Sequence, residues 1–154
     1  MNFHLSAITL DEASVVVRSP AIEQEREVAI LDLLDANSFR LEGSEAGPYE
    51  LRLGIAEGRL VFDIRRAGEA SSRVQIALAP LRAVIRDYWT VCENFYHAIR
   101  TPSPQHVESL DVGRRALHDE GANELRQRLE GKIETDFDTA RRLFTLICVL
   151  QLRV

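Results

Sequence analysis

Arg114, His118, Asp119 and Glu120 put a guanidinium fork, an imidazole and two carboxylates within seven residues of one another. Arginine presents paired donors to a carboxylate or phosphate, and histidine titrates near neutrality, so such a set could bind an anionic ligand or move a proton. The spacing of four puts Arg114 and His118 on one helical face, beside the apolar stripe of Val107, Leu110 and Leu117. Gly121 follows, and a helix ending there would leave the chain free to turn side chains into a cleft. A structural reading competes: His118 faces the C-terminal dipole of a finished helix, and Arg114 snorkels or meets an acid at the core's edge. Arg115 has Asp111 four residues before it, in the favoured pairing orientation.

Two further arginines are candidates to complete this anion pocket. Arg26 falls within the stripe of Ile22, Ala29, Ile30 and Leu33, where a buried charge needs a partner. It either pairs with an acid from a sheet or from the last helix, or lines a pocket between helix and sheet. Arg141 clusters with Asp136, Asp138 and Arg142; Asp138 can pair Arg142 at i+4, which leaves Arg141 without a local partner.

A second constellation is a stripe of Arg86, Trp89, Glu93, His97 and Arg100, spaced by threes and fours off the apolar face of their helix. Glu93 and His97 could share a metal, but two ligands do not make a site and no third lies near in sequence, so no metal or other cofactor is assigned. Trp89 is the sole tryptophan, and tryptophan and arginine are enriched in binding hot spots. The stripe is therefore read as a surface for a protein partner or a second copy, with Trp89 exposed in the isolated chain. The alternative is that another helix of the same chain covers Trp89.

No nucleophile elbow, Walker loop, HExxH or GxGxxG is found, and none of the eight glycines forms a phosphate cradle. Eighteen arginines and one lysine stand against 24 acids, a net charge of −5, and all of the excess lies before residue 80. That balance argues against nucleic acid and anionic membranes as partners. Cys92 and Cys148 have no metal-ligand spacing and lie on apolar stripes, so they read as buried thiols in a reducing, cytoplasmic setting. The start lacks the charged and apolar regions of a signal peptide, and the most apolar run, residues 143–152, is about half the ~20 residues of a membrane span.

The elements that must position these groups follow from hydrophobic period. Ser19-Pro20 opens a helix over about 20–36. Phe39 and Leu41 alternate with polar neighbours, and three alternating runs follow from residues 51 to 78, separated by turns at Glu57-Gly58 and Ala67-Gly68. They predict an antiparallel meander with one wet side. From Pro80 the period becomes helical: a long helix to about residue 99, one over 104–118, a short one with Leu125 and Leu129 beyond Gly121, and a last helix. Thr135-x-x-Asp138 has the form of a capping box for that last helix, whose apolar residues cover more than half its circumference. The sum is one α+β domain over residues 1–154, with a small antiparallel sheet packed on one face by helices.

The strings GPYELRLGIAEGRLVFDIRR (47–66), GRRALHDEG (113–121) and GKIETDFDTARRLFTLICVL (131–150) resemble the bacterial uncharacterised protein family 0262 along nearly the whole chain. The resemblance implies a small bacterial protein and supplies no activity, cofactor or catalytic residue. The residues therefore carry two readings: a non-enzymatic binding or regulatory module acting through the Trp89 stripe, or an enzyme or ligand-binding protein with an anion pocket at Arg114, His118 and Glu120, completed by Arg26 or Arg141.

Overall fold

A computed structural model describes residues 3–12, 20–44, 47–66, 72–98 and 104–151. It begins with a strand, β1 (Leu5–Leu10), followed by helix α1 (Pro20–Asp35), strand β2 (Phe39–Leu41) and the strands β3 (Tyr49–Ala56), β4 (Arg59–Arg66) and β5 (Ser72–Ala77). A 3-10 turn (Ala79–Leu81) leads into the helices α2 (Arg82–Ala98) and α3 (Pro104–Leu129). Strand β6 (Ile133–Thr135) and helix α4 (Phe137–Gln151) complete the order.

The alternating runs form the expected antiparallel ribbons, β3 with β4 and β4 with β5. Glu57 and Gly58 make the tight turn between β3 and β4, with φ of 53° and 74°. Positive φ at both central residues matches the right-handed twist of the flanking strands, which is why glycine stands second. The turn expected at Ala67-Gly68 and the cap expected at Ser19 lie outside the described residues. The main sheet is mixed rather than a pure meander, in the order β1-β3-β4-β5, because β1 pairs with β3 in parallel. A parallel neighbour needs a crossover, and α1 lies in the connection. Asn37 ties the two together: its Oδ1 accepts from Leu5 N (2.6 Å), and its Nδ2 donates to Leu5 O (3.0 Å) and Leu33 O (2.7 Å). Phe39 and Leu41 do not join that sheet; β2 pairs antiparallel with β6, a strand inside what the sequence reads as all helix.

Gly121 does not end a helix. α3 runs through it for 26 residues, and the glycine serves contact instead. A Cβ there would lie 2.4 Å from two carbons of the Phe144 ring, so the missing side chain is what lets α3 and α4 approach. The last helix is also capped differently from the expected box. Asp136 Oδ1 accepts the Thr139 N–H at 2.8 Å, one residue later than Thr135, because Thr135 still belongs to β6.

α4 is buried on every side from Leu143 to Leu150. It contacts α1, α2, α3 and β3, as its broad apolar circumference requires. Tyr49, Leu51 and Leu53 of β3 and Leu60, Phe62 and Ile64 of β4 supply the buried face of the sheet. They share one connected core with α1, α2, α3 and α4. The architecture is α+β, with mixed and two-stranded sheets joined to a helical layer built round α4.

Candidate functional site

Three helices bring charged groups to one cleft. α1 contributes Glu25, Val28, Ala29 and Asp32; Arg114, Arg115 and His118 come from α3, and Arg141, Arg142 and Thr145 from α4, with Tyr88 of α2 beside them. The volume is about 240 Å³, below the ~300–1,000 Å³ of sites for drug-sized ligands, and so suited to a small metabolite. A wider hollow of about 620 Å³ between α3 and β6 brings one arginine, Arg126, against Glu42, Glu130 and Glu134. It has no comparable cationic wall.

His118 stands in mid-helix, so the expected contact with a C-terminal dipole does not occur. Its Nε2 lies 2.7 Å from Arg141 O and 2.6 Å from Thr145 Oγ1. A carbonyl oxygen only accepts, so Nε2 carries the proton and donates. Thr145 Oγ1 donates to the same carbonyl at 3.3 Å. This tautomer leaves Nε2 no lone pair with which to take the Thr145 proton, and the pair is not a nucleophile and its base despite the short distance. Tyr88 and Phe144 flank the imidazole, with ring centroids 5.4 and 6.0 Å away. Burial pushes its pKa down to about 4, and the charges of Arg141 and Arg114 act in the same direction against the backbone hydrogen bond. At neutral pH His118 is therefore an uncharged brace between α3 and α4.

Arg114 reaches Asp111 Oδ1 at 3.1 Å within α3 and Glu25 Oε1 of α1 at 3.5 Å across the cleft. Burial works against this cation, but the Asp111 hydrogen bond and the charge of Glu25 outweigh it. Arg115 takes the other oxygen of Asp111, as its spacing predicts. Arg141 has partners the sequence did not suggest: Asp119 at 3.0 Å and Asp138 at 3.8 Å. Its Nε–H points off the line to Asp119, so that contact is an ion pair without a hydrogen bond. Arg142 donates to Ala36 O at 3.3 Å.

The remaining candidates fall elsewhere. Arg26 pairs with Glu12, just past β1, rather than with an acid of the sheet or the last helix. It lines a separate groove along α1 with Glu23, Glu27, Ile30 and Leu31, because it projects from a different side of α1 than Glu25 does. Glu120 is exposed and outside the cleft. Trp89 is the main correction: it is 6% exposed, not open to solvent. Its Nε1–H donates to Cys148 O at 2.8 Å, and its ring meets Tyr88 edge-on at 5.7 Å. α4 covers that side of α2, so the indole belongs to the interior. Arg86 is exposed, while Arg100 and the side chains of Glu93 and His97 lie outside the described residues. Among the described residues no group of three His, Cys, Asp or Glu could hold a metal, and no helix is long and apolar enough to cross a membrane.

A family model, "Uncharacterised protein family (UPF0262)", matches residues 2–153. The chain belongs to UPF0262. A relative from Caulobacter vibrioides is 53% identical over 152 residues, covering 99% of this chain and 95% of its own. Another from Phenylobacterium zucineum is 52% identical over 149 residues, 97% and 93% of the two chains. One from Brucella canis is 51% identical over 154 residues, 99% and 96%. Each is named only as a UPF0262 protein. No solved structure matches.

In this UPF0262 chain the cleft also uses residues that sequence reasoning passed over, namely Glu25, Asp32, Tyr88 and Thr145. Glu25 and Asp32 stand seven apart, two turns of α1, which signals a shared face. Nothing local pointed that face at Arg114, 89 residues later. Thr145 sits within an apolar run and reads as core until His118 is seen against it.

Proposed function

We propose that the chain is a non-enzymatic binding protein for a small ligand with an anionic group, held in the cleft between α1, α3 and α4. The observation that carries this is the convergence of Arg114 and Arg141 from two helices on one concave site, with Arg115 and Arg142 beside them. Guanidinium forks recognise carboxylate and phosphate with two parallel hydrogen bonds, and partial burial strengthens each one. Because its Nε2 proton is committed to Arg141 O, His118 supports a role in positioning α4 rather than in proton transfer. Two buried free thiols fit a reducing compartment.

The test is thermal unfolding with a panel of phosphorylated, carboxylated and amino-acid metabolites. A true ligand stabilises by mass action, about 2.7 kcal/mol at a hundredfold excess over its dissociation constant. In Arg114→Met, which keeps much of the stem's packing, the ligand-induced gain should largely vanish. No shift in the parent protein, or an equal shift in both, overturns the reading.

A protein-contact reading keeps one specific support. Val28, Leu31 and Leu34 of α1 are 47%, 60% and 46% exposed, a run that begins with Val28 at the cleft, and a run of exposed apolar side chains marks a contact face more often than isolated ones do. Light scattering after size exclusion checks the form that uses a second copy. A dimer that Leu31→Glu splits supports it, and a parent protein that is monomeric at high micromolar concentration removes it.

A further inference from the structure

We infer that the ligand of this cleft is a zwitterion, a small molecule with a carboxylate and an ammonium group in the manner of an amino acid. The inference rests on the anion-binding reading above and narrows its ligand class. The evidence is the segregation of charge between the two walls. Glu25 and Asp32 line the cleft from α1, while Arg114, Arg115, Arg141 and Arg142 line it from α3 and α4; Asp111, Asp119 and Asp138, which pair with Arg114, Arg115 and Arg141, stand behind that lining. Seven residues of helix separate the two acids by about 10 Å, so the acidic wall extends along the site rather than standing at one corner of it.

A simple anion entering this space gains the arginines but is forced against two carboxylates, and a simple cation meets the opposite conflict. At such short range in a partly dry cleft, like charges cost as much as unlike charges gain. Only a ligand carrying both charges is favoured by both walls. The cross-cleft pair of Glu25 and Arg114 shows how it would seat. At 3.5 Å that pair is long for a charge-assisted hydrogen bond. A zwitterion between them gives its carboxylate to Arg114, which keeps Asp111 at 3.1 Å, and its ammonium to Glu25. Asp32 adds a second acceptor for the ammonium, and Val28, 47% exposed, offers apolar surface for a short side chain.

The experiment compares uncharged-side-chain L-amino acids with their N-acetyl counterparts, which keep the carboxylate and lose the ammonium. Binding is read by thermal shift and calorimetry on the parent protein and on Asp32→Asn, a substitution at an exposed position that should leave folding intact. The expected result is that at least one amino acid binds ten-fold or more tightly than its N-acetyl form, with that advantage shrinking in Asp32→Asn. N-acetyl amino acids or other simple anions binding as well as the zwitterions would overturn this inference and leave the anion-binding reading standing. No binding by either set overturns this inference, and the anion-binding reading then stands or falls with the phosphorylated and carboxylated metabolites of the wider panel. Acetylation tests the charge on the ligand itself, so the outcome does not depend on how any variant folds.

Discussion

A histidine that titrates at about 4 in the folded chain and near 6.5 when unfolded takes up its proton more readily unfolded across that interval. For His118 the folded value is depressed, so its contribution is fully present above pH ~6.5 and is lost as pH falls toward 4. The gap corresponds to about 3 kcal/mol, large against the ~5–15 kcal/mol of a typical domain. His118→Gln keeps an N–H donor for Arg141 O but cannot titrate. Urea unfolding between pH 7 and 4 should show the parent losing stability more steeply than the variant, and parallel profiles would mean that the imidazole is not held neutral by burial. At the same scale, Trp89 should emit as a buried indole and resist a neutral quencher, because its ring is enclosed and its N–H is held by Cys148 O. Trp89→Phe leaves that contact unmade and should cost about 1–3 kcal/mol in denaturant unfolding.

The long helix α3 depends on a residue that costs it local stability. Glycine in a helix interior is about 1 kcal/mol worse than alanine, so propensity alone predicts that Gly121→Ala stabilises the protein. The 2.4 Å approach of a new Cβ to the Phe144 ring predicts the opposite. Phe144 is fully buried in the core and has little room to yield, and overpacking of this kind costs about 1–3 kcal/mol. A lower urea midpoint for Gly121→Ala is the expected result; a higher one would mean that α3 and α4 separate freely. The element also shows what local signals can and cannot tell. The helical periods of α2 and α4 and the alternation of β3, β4 and β5 are legible because each buries one face or all faces in a regular order. Gly121 reads as punctuation because its reason for being glycine lies 23 positions away, and β6 is hidden because three residues are too few to show a period.

Cys92 and Cys148 sit at 0% exposure on α2 and α4, within the hydrophobic core. Burial also pushes the Cys148 thiol up, which keeps the reactive thiolate scarce. Labelling of both thiols in the native protein should be slow and should rise with denaturant in step with global unfolding. Fast modification of either without loss of structure would mean that α2 or α4 opens independently. Across the whole molecule, the α+β class, the buried last helix, both core thiols and the hairpin at Glu57-Gly58 could be read directly from residue order, since each follows from periods and turn chemistry within a few neighbours. The parallel seating of β1, the burial of Trp89, and the meeting of Glu25 with Arg114 and of His118 with Thr145 were decided by tertiary structure alone. A helical wheel reports which residues share a face, but which partner covers that face depends on how distant elements pack. Pairings across 27 to 89 residues leave no mark in the local spacing of either partner.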